Sequence, residues 1–321
     1  MKIFVTGASG FVGGAATRHL VSKGHEVLAM SRSESSDAKI REAGGTPVRC
    51  DLETVTASDL DRAEAVVHSA AFVEAWGPDD AWYRFNVLGT QAMLAAAREA
   101  GVKRFIHIGT EAAIVYGQDI AGADETYPLA PTSPFPYCAT KAQAEAAVRA
   151  ANAPGFETIV LRPRFIWGPG DTTLLPAVEA MAKAGNWTWI DHGAAMTSTT
   201  HIANLVHAID LALTHGTPGE AYFILDDGDA SLHEMISGMA ASKGLELPEK
   251  SAPAWLVRIV GAVSEDIWRA FGLSGAPPLT RHAAMVMSCT CTLNGSKAKR
   301  ELGYAPVITR EEGLAAMKAA A

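Results

Sequence analysis

Cysteine is scarce: four in 321 residues, at Cys50, Cys138, Cys289 and Cys291. So few thiols exclude a disulfide-stapled scaffold, and a chain of this length buries a sizeable core without staples. Cys289 and Cys291 stand one residue apart in an apparent strand, which is not a zinc spacing, so free thiols in a reducing compartment are expected. No run of about 18 apolar residues occurs, which excludes a membrane-spanning helix. Basic charge is in deficit, with 27 lysines and arginines against 35 aspartates and glutamates and a formal charge of −8. Both signs are interspersed, so no nucleic-acid surface is expected. The first strand starts at Lys2, leaving no room for a targeting segment, and a cytoplasmic setting follows. In that setting the glycosylation-type triplets at Asn186 and Asn294 carry no weight. Asp191, His192, His201 and His207 match no ligand spacing, so no metal is expected.

What the chain does have is alternation. Short apolar runs at residues 2–6, 26–30, 46–50, 65–68, 104–109 and 158–162 read as strands. Helices are expected at 11–23, 82–100 and 137–152, the first two closed by Gly24 and Gly101. Short strands alternating with helices predict an α/β fold, a Rossmann-type doubly wound parallel sheet covered on both faces. Beyond Gly168-Pro169-Gly170-Asp171 the alternation stops. We therefore expect a dinucleotide-binding domain over 1–165 and a smaller, mostly helical substrate region over 166–321, some of it returning to the first domain.

Gly7-Ala8-Ser9-Gly10-Phe11-Val12-Gly13 follows the first strand and opens the first helix. Glycines there let the backbone turn tightly and approach a pyrophosphate, whose charge favours a helix N-terminus. After the second strand, where an NAD enzyme carries Asp or Glu for the ribose, stand Ser31-Arg32-Ser33. Nothing repels a 2′-phosphate and Arg32 can pair with it, so NADP is favoured over NAD. Asp51 and Leu52 are placed to meet the adenine edge, and Ser69, Ala70 and Ala71 offer small side chains where the cofactor passes. Tyr137 and Lys141 lie one helical turn apart, on one face. A neighbouring ammonium lowers a phenol's pKa, making it a usable acid or base.

Together these residues resemble the extended short-chain dehydrogenase/reductases. The matches are the glycine turn, His68-Ser69-Ala70-Ala71, Asn86-Val87 before Gly89-Thr90, Tyr137 with Lys141, Leu161-Arg162-Pro163, 200–206 and 299–306. Within that superfamily, Gly109-Thr110-Glu111-Ala112 and Pro277-Pro278-Leu279-Thr280-Arg281 look most like the 3β-hydroxysteroid dehydrogenase-like and dihydroflavonol reductase-like branch. The resemblance implies catalytic roles for Thr110, Tyr137, Lys141 and Asn86. Thr110 would hold the substrate oxygen, Tyr137 would move the proton, and Lys141 would bind the nicotinamide ribose and keep the phenol acidic. Pro163 and Phe165 would pass the carboxamide end of the nicotinamide. A homodimer through the two helices around 82–100 and 137–152 is implied as well. Glu111-Ala112 replaces the Asp-Glu of the sugar-nucleotide dehydratases, which disfavours dehydration.

For the substrate, Glu111, Arg164 and Trp167 are the candidates, with Trp76, Trp187 and Trp189 near the expected cleft. Residues 252–273 carry Trp255, Leu256, Ile259, Val260, Val263, Ile267, Trp268 and Phe271 at helical spacing. Core packing is the default for that stripe; a lid or a helix resting on a membrane surface is the alternative. The expected function is an oxidoreductase interconverting a secondary alcohol and a ketone on a hydrophobic small molecule. A sugar-nucleotide 4-epimerase with retained NAD, and a non-catalytic cofactor sensor, are the competing readings.

Overall fold

The computed structural model describes residues 1–78 and 80–319, so the last residues of the expected substrate region lie outside the description. Seven strands form one sheet: β1 (Lys2–Thr6), β2 (Glu26–Ser31), β3 (Thr46–Arg49), β4 (Ala65–His68), β5 (Arg104–Ile108), β6 (Glu157–Pro163) and β7 (Ala221–Ile224). Their spatial order is 3-2-1-4-5-6-7, and every pairing is parallel. Along β1, Ile3 and Val5 join one core and Phe4 the other, as the two-residue period of a strand requires. Both faces are therefore apolar, and each is covered. On one side lie α1 (Phe11–Ser22) and α6 (Ile202–Ala212), which pack on each other. On the other lie α3 (Gly89–Glu99) and α4 (Pro136–Ala150). The strand order reverses between β1 and β4, which opens a crevice at the carboxyl ends of those strands.

Three local outcomes differ from the sequence expectation. A helix, α2 (Glu34–Glu42), follows β2; only Ile40 of it is buried, so it has no apolar period to betray it. The single helix expected over 82–100 is divided into a π-helical stretch at Tyr83–Leu88 and then α3. The wider turn carries Asn86 inward. Its amide accepts from the Phe72 backbone N–H at 2.7 Å and donates to the Phe72 carbonyl and the Thr140 hydroxyl, each at 3.2 Å. The third outcome is β7, drawn from beyond residue 166 into the edge of the first sheet beside β6.

The remaining part holds α5 (Leu174–Lys183), α7 (Leu232–Ser242), α8 (Ala254–Phe271) and α9 (Arg281–Val286). A small sheet of Ala230–Ser231, Met196–Thr197, Cys291–Leu293 and Ile120–Ala123 ties it to the loop after β5. Core packing of the 252–273 stripe is overturned. Trp255 is 65% exposed, Ile259 52% and Phe271 75%, and the helix buries only Gly261 and Glu265. Among the described residues no helix is long and apolar enough to cross a membrane.

Candidate active site

A cleft of about 1120 Å³ runs over the carboxyl ends of β1, β2, β4, β5 and β6. Its first wall is the glycine turn. Gly7 sits at φ +70°, and a Cβ there would meet the Ser69 hydroxyl at 2.8 Å. A Cβ on Gly13 would strike the Gly7 carbonyl, so α1 can start this close to β1 only with hydrogen at that position. Gly10 caps α1 without any side-chain hydrogen bond. The helix thus presents its free N–H groups to the cleft beside Ser9, Phe11 and Val12. Opposite, the Thr6 hydroxyl accepts the backbone N–H groups of Ser69 and Ala70 at 3.1 and 3.0 Å, which fixes the turn carrying Ser69, Ala70 and Ala71. This is a cradle shaped for a pyrophosphate, and it fits a dinucleotide.

Arg32, Asp51 and Leu52 line the cleft at its β2 end, with Arg32 exposed. Ser31 does not join them. It is buried, and its hydroxyl donates to Asp37 at 2.5 Å; the strand's two-residue alternation points it away, and Ser36 from α2 stands at the cleft instead. At the far end, Pro163 and Phe165 line the wall after β6, Phe165 in a left-handed conformation at φ +47°.

Tyr137 and Thr110 meet at that far end. Thr110 caps the turn after β5, accepting from the Ala112 N–H and donating to Glu111 at 2.6 Å. The other Glu111 oxygen takes the Arg164 guanidinium at 2.5 Å, and Arg164 Nε donates to the Thr197 hydroxyl. Burial pushes the Tyr137 phenol above its ordinary range, Glu111 pushes the same way, and Thr110 opposes them. An acidified phenol was expected from Lys141, and that expectation is corrected for the ligand-free chain. The Lys141 ammonium is buried behind the cleft wall and donates to the Ile108 carbonyl at 2.9 Å. Burial lowers its pKa to about 8, with Glu145 on the next turn of α4 working against the shift. Asn86 also lies behind the wall, joining the Phe72 loop to α4 through Thr140.

Trp167 is removed from the substrate candidates. It is fully buried, its indole N–H donates to Asp226 at 2.7 Å, and its ring stands edge-on to His201. Trp187 and Trp189 are buried against each other, while Trp76 does line the cleft, under Arg269 of α8. The far end of the cleft is closed by residues not anticipated there: Arg281, His282 and Met285 of α9, with Phe135 just before α4. The Pro277–Arg281 motif stops one residue short of His282, so position alone could have drawn attention to it. All four cysteines are free and buried, and among the described residues no group of His, Cys, Asp or Glu is arranged for a metal.

Comparison with known families decides the class. Residues 3–224 match the model of the NAD dependent epimerase/dehydratase family. The chain belongs to that family. It is 38% identical, over 100% of its length and 96% of the relative's, to a 4-hydroxy-2-methyl-3-oxo-4-farnesyl-3,4-dihydroquinoline-1-oxide ketoreductase of Stigmatella aurantiaca. It is 35% identical, over 99% of both chains, to a 2-alkyl-3-oxoalkanoate reductase of Stenotrophomonas maltophilia. A 3 beta-hydroxysteroid dehydrogenase/Delta 5-->4-isomerase of Mycobacterium tuberculosis is 30% identical over 98% of this chain and 88% of its own. This epimerase/dehydratase-family member is thus an NAD(P)-dependent oxidoreductase with a Rossmann-type sheet, similar to 3β-hydroxysteroid dehydrogenases and ketoreductases.

Proposed function

We propose that the enzyme interconverts a ketone and a secondary alcohol on a hydrophobic small molecule, with Tyr137 as acid and base. The observation that carries this reading is the juxtaposition of Tyr137 and Thr110 at the end of the glycine-turn cleft. The charges around them support the substrate class. Arg164 is paired with Glu111, and Arg281 with Glu265 and Asp266, so these cations are already matched by carboxylates. A sugar nucleotide brings a diphosphate that would have to break those pairs. The three relatives named above act, by their names, on oxo compounds or a steroid.

When bound, a nicotinamide dinucleotide would supply or accept the hydride that interconverts the carbonyl and carbinol carbon. Gly7, Ser9, Gly10, Phe11, Val12, Ser69, Ala70 and Ala71 would hold its phosphates and ribose, and Pro163 and Phe165 its nicotinamide end. Arg32 would bind a 2′-phosphate, which makes NADP the preferred form. Tyr137 gives its phenolic proton to the carbonyl oxygen during reduction and recovers one from solvent. Lys141 would hold the nicotinamide ribose and, with the cofactor bound, would favour the ionised form of that phenol. Asn86 keeps α4 and the Phe72 loop in register. We further assign residues 1–165 to the cofactor and the later part chiefly to the substrate, in a cytoplasmic enzyme that pairs through α3 and α4.

A panel of aryl ketones, steroid-like ketones and sugar nucleotides, each with NADH and NADPH, tests this reading. Consumption of NADPH with the apolar ketones is expected. Co-purified NAD and epimerisation of a sugar nucleotide, without net cofactor change, would defeat it.

A further inference from the structure

We propose that His282 is a substrate-binding residue whose imidazole hydrogen-bonds a second, neutral oxygen of the substrate, on the carbon next to the ketone. This deepens the reading above, on which it rests, by narrowing the substrate to α-oxygenated ketones.

His282 is delivered to the cleft by the junction of α8 and α9. Thr280 caps α9 by accepting the Ala283 N–H, and the Arg281 N–H donates to Glu265 of α8 at 2.7 Å. The imidazole then stands between two aromatic rings, with centroids 5.7 Å from Phe135 and 5.8 Å, nearly edge-on, from Tyr137. It is therefore next to the group that meets the ketone oxygen. Its Nε2 is buried with no hydrogen-bond partner among the described residues. Other polar side chains that line the same cleft are engaged. Thr110 and Arg164 are held by Glu111, and Gln118 donates to Tyr127 and accepts from the Tyr116 N–H. A buried polar atom without a partner is costly, and a ligand oxygen would relieve that cost. Burial lowers the pKa of His282, although Glu111 opposes the shift, so the ring is neutral at neutral pH. A neutral imidazole offers one donor and one acceptor, which suits a hydroxyl or carbonyl better than a carboxylate.

The test compares α-tetralone with its α-hydroxy derivative as substrates for wild type, His282→Phe and His282→Asn, using NADPH. Wild type should show the lower KM for the hydroxy ketone. His282→Phe should raise that KM by about tenfold more than it raises the KM for plain α-tetralone, the worth of one hydrogen bond. His282→Asn, which keeps a donor and an acceptor, should recover part of the loss. Cofactor titration of each variant reports whether it is folded, and Asn carries the test if Phe is not. Equal KM changes for both ketones, or none for either, would overturn the role of His282 alone. No turnover of either ketone by wild type would overturn the ketone reading and this assignment with it.

Discussion

Helices α4 and α8 carry opposite relations between sequence and burial. α4 is rich in alanine, with few large apolar side chains, yet it is packed against the sheet and buries Cys138, Ala142, Ala144, Val148 and even Lys141 and Glu145. α8 carries the stronger apolar stripe, yet leaves Trp255, Leu256, Ile259, Val260, Val263, Ile267 and Phe271 exposed. Its inner face is a glycine and a glutamate: a Cβ on Gly261 would come within 3.1 Å of the Thr280 carbonyl, and Glu265 binds Arg281. Small residues let α4 approach its neighbours closely, and that proximity turns its few polar groups into a site. In α8 the Gly261–Glu265 face makes the close tertiary contact, and most of the apolar stripe stays exposed. An amphipathic period reports that a helix has two faces, not which one is covered.

The contrast can be broken most severely at α4. Tyr137→Phe should reduce ketone turnover by about 10²–10⁴-fold, the range of a lost acid–base group, while cofactor affinity measured by fluorescence titration stays near wild type. Unchanged turnover would remove α4 from the chemistry. At the cofactor end, Arg32→Ala should raise the KM for NADPH by roughly ten- to a hundredfold and leave that for NADH almost unaltered, as loss of a charge-assisted hydrogen bond implies. An equal effect on both cofactors would refute phosphate binding there. The buried α4 charge also predicts a pH profile. Lys141, with its pKa lowered to about 8, is protonated below that value and neutral above it. The kcat/KM for NADPH at saturating ketone should therefore be flat below pH 8 and fall by up to about tenfold per unit above it, since this ratio reports the free enzyme. A limb starting two units higher would mean that the ammonium is not desolvated.

On α8 the expected effects are smaller and reversed in sense. Gly261→Val should lower stability by about 1–3 kcal/mol in urea titration, because the added methyls push the helix from α9. Ile259→Ala, which deletes a large apolar side chain, should change stability by less than about 0.5 kcal/mol, as exposed positions do. A loss of several kcal/mol from Ile259→Ala would show that its face is covered after all.

Much of the nucleotide half could be read directly. β1 and β4 have the limits expected from their apolar runs, β2, β3 and β5 differ by a residue at one end, and β6 by a residue at each end. The central strands are buried on both faces, so their sequences are mostly apolar and short, which makes them legible. α2 was missed because Glu34–Glu42 touches the core through Ile40 alone. β7 escaped because its four residues, Ala221–Ile224, are set apart from the alternating units. Aromatic content misled at Trp167 and at the Trp187 and Trp189 pair. A large ring is as useful for filling a core as for lining a cleft, and only the surrounding elements decide.

The one-dimensional pattern sufficed for what the backbone settles over short distances: strand, glycine turn and helix in order, and Tyr137 one helical turn from Lys141. It did not settle what each side chain meets. That Lys141 turns to the Ile108 carbonyl, that Glu111 holds both Thr110 and Arg164, and that His282 arrives beside Tyr137 were decided by tertiary packing. The reason is physical. Periodicity belongs to one segment, whereas burial and partnership belong to pairs of segments far apart along the chain.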